Sequence, residues 1–176
     1  HICSQNNFLR TLPNMNSDST DWVRRVQLLI PIIPRGHDLY SELNPVATEA
    51  EVLEFEAKEN VKLPSGYRRY LLEIGNGGPG LSWNSENRGQ FVSSTSILGI
   101  DGCDLCDDLL TISDYGCLNT EVIDVCDGTV YNFGGDGIGD LIGDGMSYGC
   151  ALGEMLMKSY DSFDRMMSHW CDEAEA

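Results

Sequence analysis

The chain has 176 residues, 41% hydrophobic and 22% charged, which fits one globular domain with an ordinary core and argues against wholesale disorder. No run approaches the roughly 18 apolar residues of a membrane helix, and the nearest, LLIPIIP (28–34), is broken by two prolines. The net charge of −17 is unevenly placed: residues 1–88 hold 9 basic and 11 acidic side chains, 89–157 hold 12 acidic and no Lys or Arg, and 158–176 hold 2 and 5. Such a field disfavours nucleic acid and anionic lipid and steers basic partners toward the chain.

Residues 1–18 are polar and aperiodic and are read as a loose arm; the chain opens on His1 rather than Met, as expected if it starts inside a longer one or follows a removed leader. A first helix begins near STDW, with Ser19, Thr20 or Asp21 as cap and Trp22, Val26 and Leu29 or Ile30 on one side, and ends at Pro31 and Pro34. After a connection over 35–47, Thr48-Glu49-Ala50-Glu51 is a capping box, with Glu51 three residues after its N-cap. The second helix places Val52, Phe55 and Glu59 on one face, with Leu53 and Ala57 beside it.

Pro64 stands where a third helix can start, because its missing N–H costs nothing there. Tyr67, Tyr70, Leu71 and Ile74 follow at i, i+3, i+4 and i+7, one apolar stripe. The next residues, GNGGPG (75–80), match the G-x-G-x-x-G of dinucleotide loops. That loop must follow a strand and open a helix; here the glycines follow a helix and Pro79 interrupts them, so they stop the helix instead. Gly75 is expected in the left-handed conformation that ends helices.

Beyond residue 80 the pattern turns to short strands, at 89–98, 108–113, 120–126 and 129–133. The last two are read as a hairpin closed by the two-residue turn Asp127-Gly128. Phe163, Met166, Met167 and Trp170 then make a second helical stripe. Helices, then strands, then a closing helix predict an α+β fold with a mostly antiparallel sheet and no internal repeat.

The segment ATEAEVLEFEAKENVKLPSGYRRYLLEIGNGGPG (47–80) resembles the hallmark of the SUKH superfamily, shared by yeast Smi/Knr cell-wall regulators and many bacterial immunity proteins. The matching positions are Glu56 on a helix, the dipeptide Leu63-Pro64, an aromatic helix bearing Tyr67, Tyr70 and Leu71, and the turn Asn76-Gly77-Gly78. LLTISDYGC (109–117) and SYDSFDRMMSHW (159–170) are similar to the strand and terminal helix of bacterial members, and the resemblance spans roughly 20–172. It implies a single SUKH-like domain over 19–172, followed by an acidic tail at 173–176, and it makes the Asn-Gly-Gly turn structural, with no cofactor. The stretches 81–107 and 134–149 depart from the family pattern.

Other constellations are weaker. GMSYG (145–149) is a literal G-x-S-x-G, followed by the helix-like ALGEMLMK, so Ser147 is a candidate hydrolase nucleophile. Only 29 residues follow it, His169 lies within a helix stripe, and His37 stands in the wrong chain order, so a triad has no room. Cys103 and Cys106 form one C-x-x-C without a second close pair, short of a zinc site; Cys117 and Cys126 alternate with apolar residues and read as core thiols. Seven cysteines, an odd number without framework spacing, point to a reducing cytoplasm. Asp136, Asp140 and Asp144 lack the alternate spacing and distal Glu of a calcium loop.

The expectation is a non-enzymatic binding domain without metal or cofactor, an immunity protein that blocks a basic toxin domain, such as a nuclease, through an acidic face. The residues expected to carry it are Asp101, Asp104, Asp107, Asp108, Asp136, Asp140 and Asp144, with Trp83 as an apolar anchor. The alternatives are a regulatory scaffold of the yeast type and, last, a serine hydrolase using Ser147.

Overall fold

The computed structural model describes residues 21–31, 43–81, 91–97, 105–106, 108–114, 119–134 and 156–176. Helix α1 (Trp22–Leu29) is followed by α2 (Glu49–Glu59) and α3 (Ser65–Glu73), then by strands β1 (Gly78–Leu81), β2 (Phe91–Ile97), β3 (Leu105–Cys106), β4 (Leu109–Asp114), β5 (Asn119–Asp124), β6 (Val130–Gly134) and β7 (Leu156–Tyr160), and by α4 (Phe163–Glu175). The fold is α+β. Strands β1 and β2 pair with each other, β3 to β7 form a five-stranded sheet in chain order, and every pairing is antiparallel.

The helices form where the pattern predicts them. On α1, Trp22, Val23, Val26 and Leu29 are buried; on α3, Tyr67, Tyr70 and Leu71, with Ile74 just beyond; on α4, Phe163, Met166, Met167 and Trp170. Phe163 is the hub. The rings of Tyr67, Tyr70 and Trp22 stand edge-on to it, with centroids 5.3, 5.7 and 6.0 Å away. Each contact of this kind adds about 0.5–1.5 kcal/mol beyond simple burial. The sheet contributes Leu110, Ile112, Ile123 and Val130 to the same core.

On α2, the capping box forms as read: the Thr48 hydroxyl accepts from Glu51 N–H at 3.3 Å, and Glu51 Oε2 accepts from Thr48 N–H at 2.6 Å. Val52 and Phe55 face inward, but Leu53 and Ala57 are exposed, so the buried stripe is one residue wide. Asn60, at φ 54°, ends the helix in the left-handed region. On α1, Asp21 takes the cap position without capping; its carboxylate bonds Arg69 at 2.9 Å.

Four sequence expectations are corrected. Gly75 does not take a left-handed φ; Gly77 does, at 88°. Gly75 is there for space, since a Cβ would lie 3.1 Å from Asn44 O and 3.2 Å from Leu43 Cβ. The β5–β6 connection is not a two-residue turn: Ile123 pairs with Val130, and Asp124 N–H donates to Thr129 O, leaving Val125–Gly128 as a four-residue loop. Local bonds favour it. Asp124 Oδ1 accepts from Cys126 N–H at 2.7 Å, Asp127 Oδ1 from Thr129 N–H at 2.8 Å, and Val125 N–H reaches across to Asp108 O at 2.9 Å. Cys126, read as a core thiol, is exposed on this loop. Finally, the tail of the helix-like ALGEMLMK is strand, because Leu156 onward belongs to β7.

Candidate functional site

The family-motif residues act on the backbone around them. Glu56 Oε1 accepts from Leu63 N–H at 2.9 Å and lies 3.7 Å from Arg68 Nε, so one carboxylate ties the end of α2 to the start of α3. Leu63 is buried and Pro64 is the N-cap of α3. Asn76 N–H donates to Pro45 O and Asn76 O accepts from Asn44 Nδ2, both at 3.1 Å, while Gly77 O accepts from Asn44 N–H at 2.9 Å. The turn therefore pins Asn44 and Pro45 beside the end of α3, where Ala47 N–H also donates to Leu71 O at 2.8 Å, and Gly78 opens β1. Helix-glycine-strand is the reverse of the order a dinucleotide loop requires.

The N-termini of α3 and α4 and the β5–β6 loop enclose a cleft of about 170 Å³, lined by Pro64, Gly66, Cys126, Asp127, Gly128 and Asp164 among others. Two glycines allow this approach. Gly128, at φ 81°, would put a Cβ 3.4 Å from Pro64 Cβ. A Cβ on Gly66 would collide with the Asp164 carboxylate, 2.8 Å from its Cγ. Asp164 Oδ1 in turn accepts from Trp22 Nε1–H at 2.7 Å. A single carboxylate at the start of α4 thus sits over the start of α3 and anchors α1. A negative charge is favourable against a helix N-terminus.

The β5–β6 loop that lines this cleft carries an acidic rim, around Cys126. Asp108 sits at the β3–β4 end, with φ 66°; only positions 107 and 108 separate the paired residues Cys106 and Leu109. Leu109 pairs with Asp124, which brings Asp108 to the β5–β6 loop. Asp108, Asp124 and Asp127 all act on Cys126: the Asp108 charge is the largest cause pushing its thiol up, with some burial and the other two carboxylates adding to it. This thiol stays protonated and is a poor nucleophile at neutral pH. Bonds from Thr129 hold the Asp127 carboxyl below its usual range.

Of the carboxylates proposed from the sequence, the structure thus places Asp108. Asp101, Asp104, Asp107, Asp136, Asp140 and Asp144 lie outside the described residues, as do Trp83, Ser147, Cys103, Cys117, His37 and residues 1–18. Asp124 and Asp127 were missed as rim residues. Their signal was present, since Asp127 opens the turn dipeptide and Asp124 stands three residues before it, but only the pairing register brings them to Asp108. His169, the one histidine after Ser147, packs on the Tyr160 ring at 5.8 Å.

The family model of the SMI1 / KNR4 family (SUKH-1) matches residues 46–168, well over half of the chain and including every motif position described above. The chain belongs to this family. Searches of curated proteins and of solved structures found no match. The SUKH match begins at Val46, so α1 lies outside it although Trp22 and Val26 belong to the same core. Domains of this family are generally non-catalytic. Among the described residues, no helix is long and apolar enough to cross a membrane.

Proposed function

We propose that this SUKH domain is a non-enzymatic protein-binding module, an immunity protein whose acidic rim captures a basic toxin domain. The observation that carries the reading is the gathering of Asp108, Asp124 and Asp127 around the exposed Cys126, on a loop that faces Pro64 across a cleft. Carboxylates set at the end of a sheet offer a basic surface fixed, desolvatable partners and speed its approach. A nuclease cleft, basic because it holds phosphates, is the surface such a rim would block.

The test uses the triple variant Asp108→Asn, Asp124→Asn, Asp127→Asn. Asparagine tolerates the left-handed φ of position 108 and keeps the acceptors that hold the loop. A partner retained at low salt from lysate of the source organism and identified by mass spectrometry is then measured against both proteins. A basic toxin-like domain whose association slows about tenfold or more with the variant, and steeply with added salt, is the expected result. An unchanged association rate overturns the acidic rim. Retention of wall-synthesis or kinase components instead favours the regulatory scaffold that the family's yeast members represent.

A further inference from the structure

Helix α2 carries two apolar faces. Val52 and Phe55 point into the core, as a surface helix needs. On the opposite side Ala50, Leu53 and Ala57 recur at i, i+3 and i+7, and all three are exposed, Leu53 at 52%. Val46, two residues before the Thr48 N-cap, is exposed at 47% at the N-terminal end of the helix. Single exposed apolar residues are ordinary on a protein surface, whereas a row of them at helical spacing has the form of a packing ridge. The exposure of this row shows that the fold itself makes little use of it.

The charge around the row has one dominant sign. Helix α2 holds five glutamates and one lysine. Glu49 borders the row on one side and is paired with Arg68. Glu54 borders it on the other and is exposed, and Lys58 beyond it is bonded to Glu59 at 2.8 Å. A second copy is a poor occupant, because two such faces bring glutamates onto glutamates and each chain carries −17. An anionic bilayer is disfavoured by the same charge. What the row complements is a helix with its own apolar stripe and a Lys or Arg set to meet Glu54.

We propose that the outer face of α2 docks a basic amphipathic helix of another protein, with Leu53 at the centre of the contact and Glu54 opposite a lysine or arginine of that helix. This surface shares no residue with the acidic rim and does not depend on the toxin-binding reading. The apolar row fixes where the incoming helix lies, and Glu54 selects the sign of its flank.

The experiment is an NMR titration of the ¹⁵N-labelled full chain with three capped peptides of about 18 residues, long enough to form helix. The first sets leucines at i, i+3, i+4 and i+7 among lysines and alanines. The second has glutamates in place of the lysines, and the third keeps the basic composition with the leucine spacing scrambled. The striped basic peptide is expected to shift the amides of Ala50–Ala57 saturably and to bind at least about tenfold tighter than either of the others. Leu53→Gln changes an exposed side chain, so the amide spectrum of the other elements should stay in place while binding weakens about tenfold or more. Glu54→Lys should narrow the preference for the basic over the acidic peptide by about tenfold. Equal binding of the striped and scrambled basic peptides would mean attraction by net charge alone and overturns the proposal. So do shifts confined to other elements, an unchanged affinity of Leu53→Gln, an unchanged preference of Glu54→Lys, or no shift at millimolar peptide. Concentration-dependent shifts of the α2 amides in the protein alone would put a second copy on this face and overturn it as well.

Discussion

Tyr70 is fully buried on α3, and no described residue accepts or donates a hydrogen bond at its hydroxyl. Burial also pushes the phenol's ionisation far up, so it stays neutral. An unpartnered buried hydroxyl costs stability, whereas the ring contributes through Phe163. Tyr70→Phe is therefore expected to leave the protein unchanged or up to about 1 kcal/mol more stable in urea denaturation. A loss greater than that would reveal a partner for the hydroxyl. Gly66 makes the opposite case. Its missing Cβ is occupied by Asp164, which Trp22 holds in place, so Gly66→Ala must displace a carboxylate that bridges three helices. The expected cost is about 1–3 kcal/mol, read as a lower urea midpoint with an unchanged slope.

Among the elements, α2 buries only Val52 and Phe55 on its own length and relies on its ends. Thr48 bonds hold the Glu51 carboxyl below its ordinary value of 4.5. A depressed carboxyl contributes its stability above its unfolded pKa and loses it as pH falls through the folded one. The gap in urea midpoint between wild type and Glu51→Ala should thus be constant from pH 7 to about 5 and close as pH drops toward 3. A gap that persists at pH 3 would show the box working without its charge. These helices were legible in the sequence because burial at every third or fourth residue writes itself into the pattern. Strand β7 was not: its residues alternate no apolar face, and Leu152, Met155 and Leu156 fall at helical spacing across its start. The β5–β6 register was also hidden. Asp127-Gly128 lies within the loop but does not close it alone, because two aspartate side chains bonding nearby backbone N–H groups chose the longer connection. The observed register differs from the expected one by two residues, so each side chain keeps its face. The site followed the same rule, since acid content was visible in the composition while the meeting of Asp108, Asp124 and Asp127 depends on that register.

For the whole molecule, a charge of −17 on 176 residues is a standing self-repulsion. Arg25 offsets part of it, its Nε and Nη2 bonding both Glu175 oxygens at 3.0 and 2.7 Å and Asp172 lying 2.8 Å away, which ties the acidic end of α4 to α1. Added salt screens repulsion over distances beyond about 8 Å at 0.15 M but hardly touches a contact pair. The melting temperature is therefore expected to rise between about 20 and 300 mM sodium chloride, by differential scanning calorimetry. A fall would mean that ion pairs such as Arg25–Glu175 outweigh the net field. The aromatic hub sets a different demand, one of timing. Trp22, Tyr67 and Tyr70 share Phe163 as their common partner, and the Trp22–Asp164 bond spans 142 positions. A ribosome that has released α1, α3 and most of the sheet has still not supplied the ring they close on. Translation must pass Phe163 before the core can seal, and until then a nascent chain exposes an aromatic surface that a chaperone, or a neighbouring nascent chain, can occupy first.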